Sequence, residues 1–512
     1  MLKTSGNMDK ARIYKLVIIL FFIALAIRVF LAFNTYMIGT DSTKFLNMAR
    51  DLHNGDVDKA LKVTYHPLYP FLTSYFSYVT GDVELAAVII SILFGSLTVI
   101  PLFYLAYRLG NVKLAVFTLL LYAVHPVLVD IQSDVMTEGT FIFFFISAVA
   151  LIWRSIEEGG WLTYVGCGFF SSLAYLTRVE GIILLVLFVL FFIIALIRKD
   201  ARFKRIICLF IFLILFIVTA LPYLLWIHNT TGKWFFTVKG SAIMTTGAEV
   251  EMGNDSDDIR FDKINKGKQE RYVDRFGRLG GIIIFSVETL FKAMHWVAVT
   301  LLVVTIIFLI KKRSSIFSKN AIFILYIISF VICYFVGVVY GGYKGVPLSY
   351  RYFLPEVVLL LPFIVIGVTE VVSLFKDRWS KLIVAIACLI VVLSLPESLK
   401  PRRYESIGYR EAAEWAKANK NNRPKVMATR EQVFYYSDSL PAKMPPKYED
   451  AVRMAKEKGI DYLIFSPERD KERLEDGFFD LVQNGGEFIL EKEFPLSKSE
   501  KLYNVFVYSP KK

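Results

Sequence analysis

Residues 16–33 read LVIILFFIALAIRVFLAF, eighteen residues with a single charge, Arg28. A helix needs about 20 consecutive apolar residues to cross a bilayer core, so this run decides the fold class. Working outward, comparable runs recur at 85–107, 114–129, 137–153, 161–177, 182–197, 206–227, 293–310, 321–340, 352–373 and 382–396, which makes eleven candidate spans. Residues 282–292 are also apolar, but Glu288 and Lys292 stand four apart there. That piece predicts an interfacial helix feeding the span at 293. Of the 512 residues 55% are apolar, and the mean hydropathy is +0.51. Soluble domains lie nearer about 45–50% apolar. The expected fold class is a polytopic all-α membrane domain.

The charge distribution divides the chain. Residues 401–512 hold 21 Lys/Arg and 19 Asp/Glu, against 38 and 27 in the first 400. This predicts a membrane domain over 1–400 and a soluble domain over 401–512. The excess of positive charge lies in short loops between apolar runs, so nucleic acid is not an expected partner. The four cysteines (167, 208, 333, 388) all sit inside apolar runs, and the five histidines show no metal-binding spacing. Neither a disulfide framework nor a zinc site is expected.

Orientation follows from Lys and Arg in short loops. With the N-terminus inside, segments 1–15, 108–113, 154–160, 198–205, 311–319 and 374–381 hold 19 of them. The short outer turns 130–136, 178–181 and 341–351 hold 3. The N-terminus is expected in the cytoplasm, with the first run an uncleaved anchor. An odd number of spans then puts 401–512 outside, across a plasma (cytoplasmic) membrane. Two outer loops are long, 34–84 and 228–280. In the first, 42–54 and 68–79 predict helices on the outer leaflet. The second has an acidic centre at 254–258 and Asn-x-Ser/Thr sequons at Asn229 and Asn254. The soluble part alternates helix and strand: helix 405–419, strand 425–429, helix 448–458, strand 460–466, helix 470–483, strands 487–494 and 502–508. It predicts a small α/β domain. With no phosphate-binding loop and no nucleophile motif, it reads as accessory.

Ionisable groups near the membrane mark function by default, and those of the outer face are candidates. Asp41, in GTDS (39–42), suits a general base; its plainer role is an N-cap. His66 and Tyr69, in HPLYP (66–70), face a phosphate or form a rigid turn. Asp134 and Glu138 stand four apart and repel unless a cation, a hydroxyl-rich ligand or a basic residue intervenes. Their plainer role is to complement a helix dipole. Arg178 and Glu180, in LTRVEG (176–181), form a local ion pair or engage an anionic headgroup. Tyr350 and Arg351 open the tenth span, where an arginine can bind phosphate bidentately or anchor the helix at the interface. Arg28 lies several residues inside the first span.

The order of these features resembles the GT-C glycosyltransferases. The run is Asp41, ARDL (49–52), HPLYP (66–70), ELAA (84–87), Glu138, LTRVEG (176–181) and RYFLP (351–355). The nearest branch is that of the dolichyl-phosphate-mannose protein mannosyltransferases and lipid A aminoarabinose transferases, over roughly residues 10–400. The resemblance implies inverting transfer of one sugar from a polyprenyl-phosphate carrier to a lipid, glycan or protein acceptor at the extracytoplasmic face. It matches the family's first acidic residue to Asp41 and its second to Asp134 or Glu138. It matches carrier-phosphate contacts to Tyr69, Arg178 and Arg351. The aminoarabinose transferases carry a lysine near His66, and many members have a second acid where Ser42 stands. No cofactor is expected. A flippase would predict inverted repeats and midplane charges, neither of which the sequence shows; an oligosaccharide ligase would move whole glycans.

Overall fold

A computed structural model describes residues 10–63, 65–158, 160–197, 202–237, 256–311, 320–373, 379–420, 422–495 and 502–511. The acidic centre's first two residues, the Asn254 sequon and most of the loops 198–205, 311–319 and 374–381 lie outside them. The chain forms two compact units. One comprises residues 1–32, 45–250 and 264–400; the other comprises 33–44, 251–263 and 401–512.

The first unit is helical and belongs to a multi-pass membrane protein. Its helices begin with α1 (Lys10–Phe33), α2 (Thr40–His53), whose start lies in the other unit, α3 (Val57–Leu61) and α4 (Leu68–Thr80). Then come α5 (Val83–Leu97), α6 (Val99–Leu109), α7 (Val112–Val124), α8 (Pro126–Gln132), α9 (Glu138–Glu158), α10 (Trp161–Thr177), α11 (Ile182–Ile197) and α12 (Arg202–Thr231). Asn229 falls in the last turn of α12. The remainder are α13 (Ser256–Phe276), α14 (Arg278–Lys311), α15 (Ala321–Tyr343), α16 (Leu354–Ile364), α17 (Ile366–Ser373) and α18 (Trp379–Ser398). Among the described residues, seven helices are long and apolar enough to cross a membrane, or eight if α7 and α8 form one bent span. Shorter apolar helices run over 179–192 and 385–398. Large apolar side chains such as Ile18, Phe22, Phe210, Ile214, Leu325 and Ile332 are exposed. A lipid-facing surface needs that, because no water is present to penalise them.

Two spans are broken. The run expected at 114–129 bends by 58° between α7 and α8. Pro126 lacks an N–H and forces His125 into extended backbone (φ −68°, ψ 115°). The piece expected at 282–292 as a helix feeding its span is set off from that span by a kink inside α14. The helix is interrupted only at His295, whose φ is 60° and ψ 150°. The two breaks support each other. His125 Nε2 bonds the Met294 carbonyl at 2.9 Å, and His295 Nε2 meets Glu397 Oε2 at 2.8 Å. Broken helices persist in a membrane where side chains satisfy the freed backbone groups. Arg28, fully buried, gives Nε and Nη2 to Gln132 Oε1 at 3.0 and 2.6 Å and Nη1 to the Ala24 carbonyl at 3.0 Å. It is thus a bridge between α1 and α8.

The second unit contains a five-stranded sheet, β1 (Lys425–Ala428), β2 (Leu440–Lys443), β3 (Tyr462–Phe465), β4 (Phe488–Phe494) and β5 (Val505–Pro510). Its order is β2-β1-β3-β5-β4; β1 is parallel to both neighbours, and β5 is antiparallel to β3 and β4. Helices α19 (Ile407–Ala418), α20 (Glu431–Ser437), α21 (Tyr448–Lys458) and α22 (Phe478–Asn484) accompany it. Met427, Leu463, Phe465, Phe478, Val482 and Tyr508 form its core. Two elements are unannounced in the sequence reading: α20, and the edge strand β2 with Pro441, where a proline is tolerated. The helix expected at 470–483 starts only at Phe478. Asp470, fully buried, accepts from the Ser466 N–H at 3.0 Å, Tyr409 Oη at 2.7 Å and Thr429 Oγ1 at 2.6 Å. Those bonds fold 466–470 into a turn rather than a helix.

Candidate active site

The turn 176–181 is the structural centre of the first unit's polar cluster. Helix α10 ends at Thr177, Arg178 takes extended backbone, and residues 179–181 form a single 3₁₀ turn. The turn folds back on the helix it leaves: a Cβ on Gly181 would stand 2.4 Å from the Tyr175 backbone nitrogen. Only glycine permits that approach, and the approach aims Arg178 into the protein.

Arg178 is held from two sides. Nη1 bonds Glu138 Oε1 at 2.8 Å and Thr137 Oγ1 at 3.3 Å; Nη2 bonds Glu180 Oε1 at 2.9 Å. The Glu138 side chain is 2% exposed and that of Arg178 15%. Burial works to lower the Arg178 pKa, but the Glu180 and Glu138 carboxylates outweigh it and raise the value, so the guanidinium stays charged. The repulsion expected between Asp134 and Glu138 is thus met, on the Glu138 side, by a basic residue. Asp134 is itself buried, and its Oδ1 accepts from the Val135 N–H at 2.8 Å.

A second arginine joins this group through an aromatic ring. The Arg178 guanidinium lies 5.3 Å from the Tyr352 ring centre, and the Arg351 guanidinium 5.7 Å from the same centre. Residues 350–353 form a 3₁₀ turn leading into α16, with Pro355 in the helix's first turn. That turn presents Arg351 and Tyr352 at half-buried positions, and Tyr350 is half-buried beside them. Each cation gains from the ring face, but two cations sharing one ring also repel. The Glu138 and Glu180 carboxylates offset that repulsion on the Arg178 side.

His66 is buried against Tyr175 and Tyr223, with ring centres 5.2 Å away in both cases, and it lies within electrostatic reach of Glu180. It therefore belongs to the same neighbourhood as Arg178. Tyr69 is fully buried, and its hydroxyl is engaged with the Ala87 carbonyl at 3.0 Å and Ser91 Oγ at 2.9 Å. That engagement ties α4 to α5. Asp41 is in the other compact unit, 5% exposed, as the second residue of α2. It lies inside the first turn rather than at the cap. Among the described residues, no three His, Cys, Asp or Glu side chains gather as a metal site requires.

Glu356 is not among the candidates drawn from the sequence. It sits one residue past Pro355, fully buried, and neither carboxylate oxygen has a hydrogen-bond partner among the described residues. Tyr334 lies within electrostatic reach of Glu356 as well as of Glu180, Arg178 and Glu138. The signal was available: Glu356 is an acid inside the apolar run 352–373.

The chain is similar to known proteins in part of its sequence and in its fold. A family model described as dolichyl-phosphate-mannose-protein mannosyltransferase matches residues 62–226, under half of the chain. ArnT from Cupriavidus metallidurans, solved with undecaprenyl phosphate, superposes with a TM-score of 0.57 at 12% identity, covering 96% of this chain and 97% of that one. The Archaeoglobus fulgidus oligosaccharyltransferase, solved with zinc and sulfate, gives 0.57 at 13% identity, covering 97% and 73%. The chain has a GT-C-like fold. A further structure of that archaeal enzyme, AglB with an inhibitory peptide and a dolichol-phosphate, gives 0.54 at 12% identity, covering 90% and 70%. No curated protein matches by sequence. The GT-C-like body extends well beyond the residues that the family model covers.

Proposed function

We propose that this chain is an integral-membrane glycosyltransferase. It moves one sugar from a polyprenyl-phosphate-linked donor to a lipid, glycan or protein acceptor at the extracytoplasmic face, with inversion. The observation that carries the reading is the pair Arg178 and Arg351 on the Tyr352 ring. A lipid phosphate there would meet two guanidinium groups in surroundings of low dielectric, where charge-assisted bonds are strong. The relatives in structure support this reading, since ArnT was solved with undecaprenyl phosphate and AglB with dolichol-phosphate. The loop bias of 19 Lys/Arg to 3 supports a cytoplasmic N-terminus and residues 401–512 outside.

The chemistry is an in-line displacement at the anomeric carbon. The acceptor hydroxyl loses its proton to a carboxylate as it attacks, and Asp41 is the proposed base. The lipid phosphate leaves, and Arg351, with Arg178 behind it, stabilises the charge that grows on its oxygens. His66 supports this side through Glu180. Asp134 and Glu138 frame the cluster, with Glu138 orienting Arg178. No metal takes part in this scheme.

The likeness to an oligosaccharyltransferase favours one second reading, the transfer of a whole glycan. The purified protein, given a radiolabelled polyprenyl-phosphate monosaccharide or a polyprenyl-linked oligosaccharide, separates the two. Label transferred from the monosaccharide donor is expected. Transfer from the oligosaccharide donor alone makes the chain a ligase, and translocation of label without transfer makes it a flippase.

A further inference from the structure

We infer that residues 401–512 set the position of Asp41, with Gln432 and Tyr436 as positioning residues. The inference rests on the reading of Asp41 as the base. Residues 33–44 belong to the same compact unit as 401–512, and the stretch around Asp41 is gripped on both sides. The Ile38 N–H donates to Tyr436 Oη at 3.1 Å. Arg403 Nη1 donates to the Met37 carbonyl at 2.8 Å. Gln432 Nε2 donates to Thr40 Oγ1 at 3.1 Å, and Thr43 Oγ1 reaches both the Thr40 carbonyl at 2.7 Å and Glu431 Oε2 at 3.4 Å. Upstream, Arg402 exchanges backbone bonds with Asn34 and Tyr36, at 2.9 and 3.1 Å. Tyr36 and Tyr404 meet edge to face with ring centres 4.9 Å apart.

These contacts differ from surface docking in two ways. They are buried: Ile38, Thr40, Asp41, Thr43 and Gln432 are all 6% exposed or less. A buried bond removed leaves its partner unsatisfied, which is the costly case. They also hold strain. Arg403 takes a left-handed backbone conformation, φ 52°, which a non-glycine residue keeps only where its surroundings over-determine it. Its guanidinium packs so closely on the segment that a Cβ on Gly39 would stand 3.2 Å from Nη2. Thr40 is the first residue of α2 and Asp41 the second. Fixing Thr40 by its hydroxyl, and Ile38 by its N–H, fixes the direction in which the Asp41 carboxylate leaves the helix. The domain that reads as accessory from its sequence thus comes within one residue of the candidate base on its N-terminal side, at Thr40, and within two on its C-terminal side, at Thr43.

The test uses the full-length protein. Tyr436→Phe and Gln432→Ala are made singly and each again in an Asp41→Asn background. A misplacement of about 1 Å can cost on the order of 10²-fold in rate, so each single variant is expected to lose about 10- to 100-fold in kcat. Donor KM should move by less than about two-fold, since only a transition-state interaction is lost. Amide exchange across 36–44 should accelerate, while that of β1 and β3 stays as it was. In the Asp41→Asn background the same changes should leave the residual rate unaltered, because both act through one group. Unchanged kcat, unchanged exchange over 36–44, or an equal loss in the Asp41→Asn background overturns the inference. The base reading is judged apart, by Asp41→Asn alone: normal transfer in that variant removes the base assignment and the positioning role together.

Discussion

Arg178→Ala tests whether the cluster is built as the geometry indicates. The substitution removes the partner of Glu138 Oε1 at 2.8 Å, and the Glu138 side chain is 2% exposed. Leaving one member of a buried ion pair unpaired costs about 3–5 kcal/mol. Glu180 is 20% exposed and can recruit water, so it adds little. The lost stacking on Tyr352 adds about 1 kcal/mol. The loss is therefore about 4–6 kcal/mol. At this chain size one kcal/mol corresponds to on the order of 1–2 °C, which gives a fall of roughly 5–10 °C in the melting temperature of the detergent-solubilised protein. The diagnostic arm is Arg178→Ala with Glu138→Gln, which removes the stranded charge. That double variant should recover more than half of the lost temperature while donor binding stays weak. An Arg178→Ala protein that melts with the wild type, or a double variant no more stable than the single one, refutes the claim that Glu138 depends on Arg178.

Other substitutions separate the remaining roles. Arg351→Lys keeps the charge but loses the planar fork, so donor affinity measured by calorimetry should fall by about 1–3 kcal/mol, with folding intact. Gly181→Ala forces a Cβ to within 2.4 Å of the Tyr175 backbone nitrogen; the turn must shift, and both melting temperature and donor binding should drop. Tyr69→Phe breaks the bonds to Ala87 and Ser91. It should cost about 1 kcal/mol of stability and leave donor affinity unchanged, whereas a loss of affinity would return Tyr69 to the phosphate.

Much of the fold is legible in the sequence because a bilayer imposes a single strong rule. Apolar runs of span length predict helices, and the runs at 85–107, 137–153, 206–227 and 321–340 appear as helical spans over 83–109, 138–157, 206–231 and 321–343. The breaks are less legible. Pro126 announces the α7–α8 bend, and Glu288 with Lys292 announces a separate helix ahead of 293, but not that the break falls at His295. That break is stabilised from outside, by Glu397 on His295 and by His125 on the freed Met294 carbonyl. Soluble elements of four to seven residues, such as α20 and β2, carry too few residues for periodicity to show. At the candidate site, the sequence reading names Arg178, Glu138, Glu180 and Arg351 singly. It cannot show that Tyr352 joins two arginines, because 174 positions separate Arg178 from Tyr352 and only the fold brings them together.

Glu356 poses the sharpest contrast with its neighbours. Arg28, Arg178 and His295 each find a partner inside the first unit, so their presence there is explained by packing alone. The Glu356 carboxylate, fully buried and without a hydrogen-bond partner among the described residues, only costs stability as it stands. Replacing such a group by an apolar one of similar size is commonly neutral or stabilising, by about 1–4 kcal/mol. Ionisable groups kept in a membrane at that cost mark function by default. Glu356→Leu should accordingly melt at or above the wild-type temperature and transfer sugar more slowly. Glu356→Gln, which can still accept a hydrogen bond, should keep more of the rate than leucine does. If Glu356→Leu gains stability and transfers at the wild-type rate, the carboxylate is a tolerated flaw in the packing of α16. If it loses stability, the carboxylate is satisfied in the working protein by a group that the isolated chain does not show.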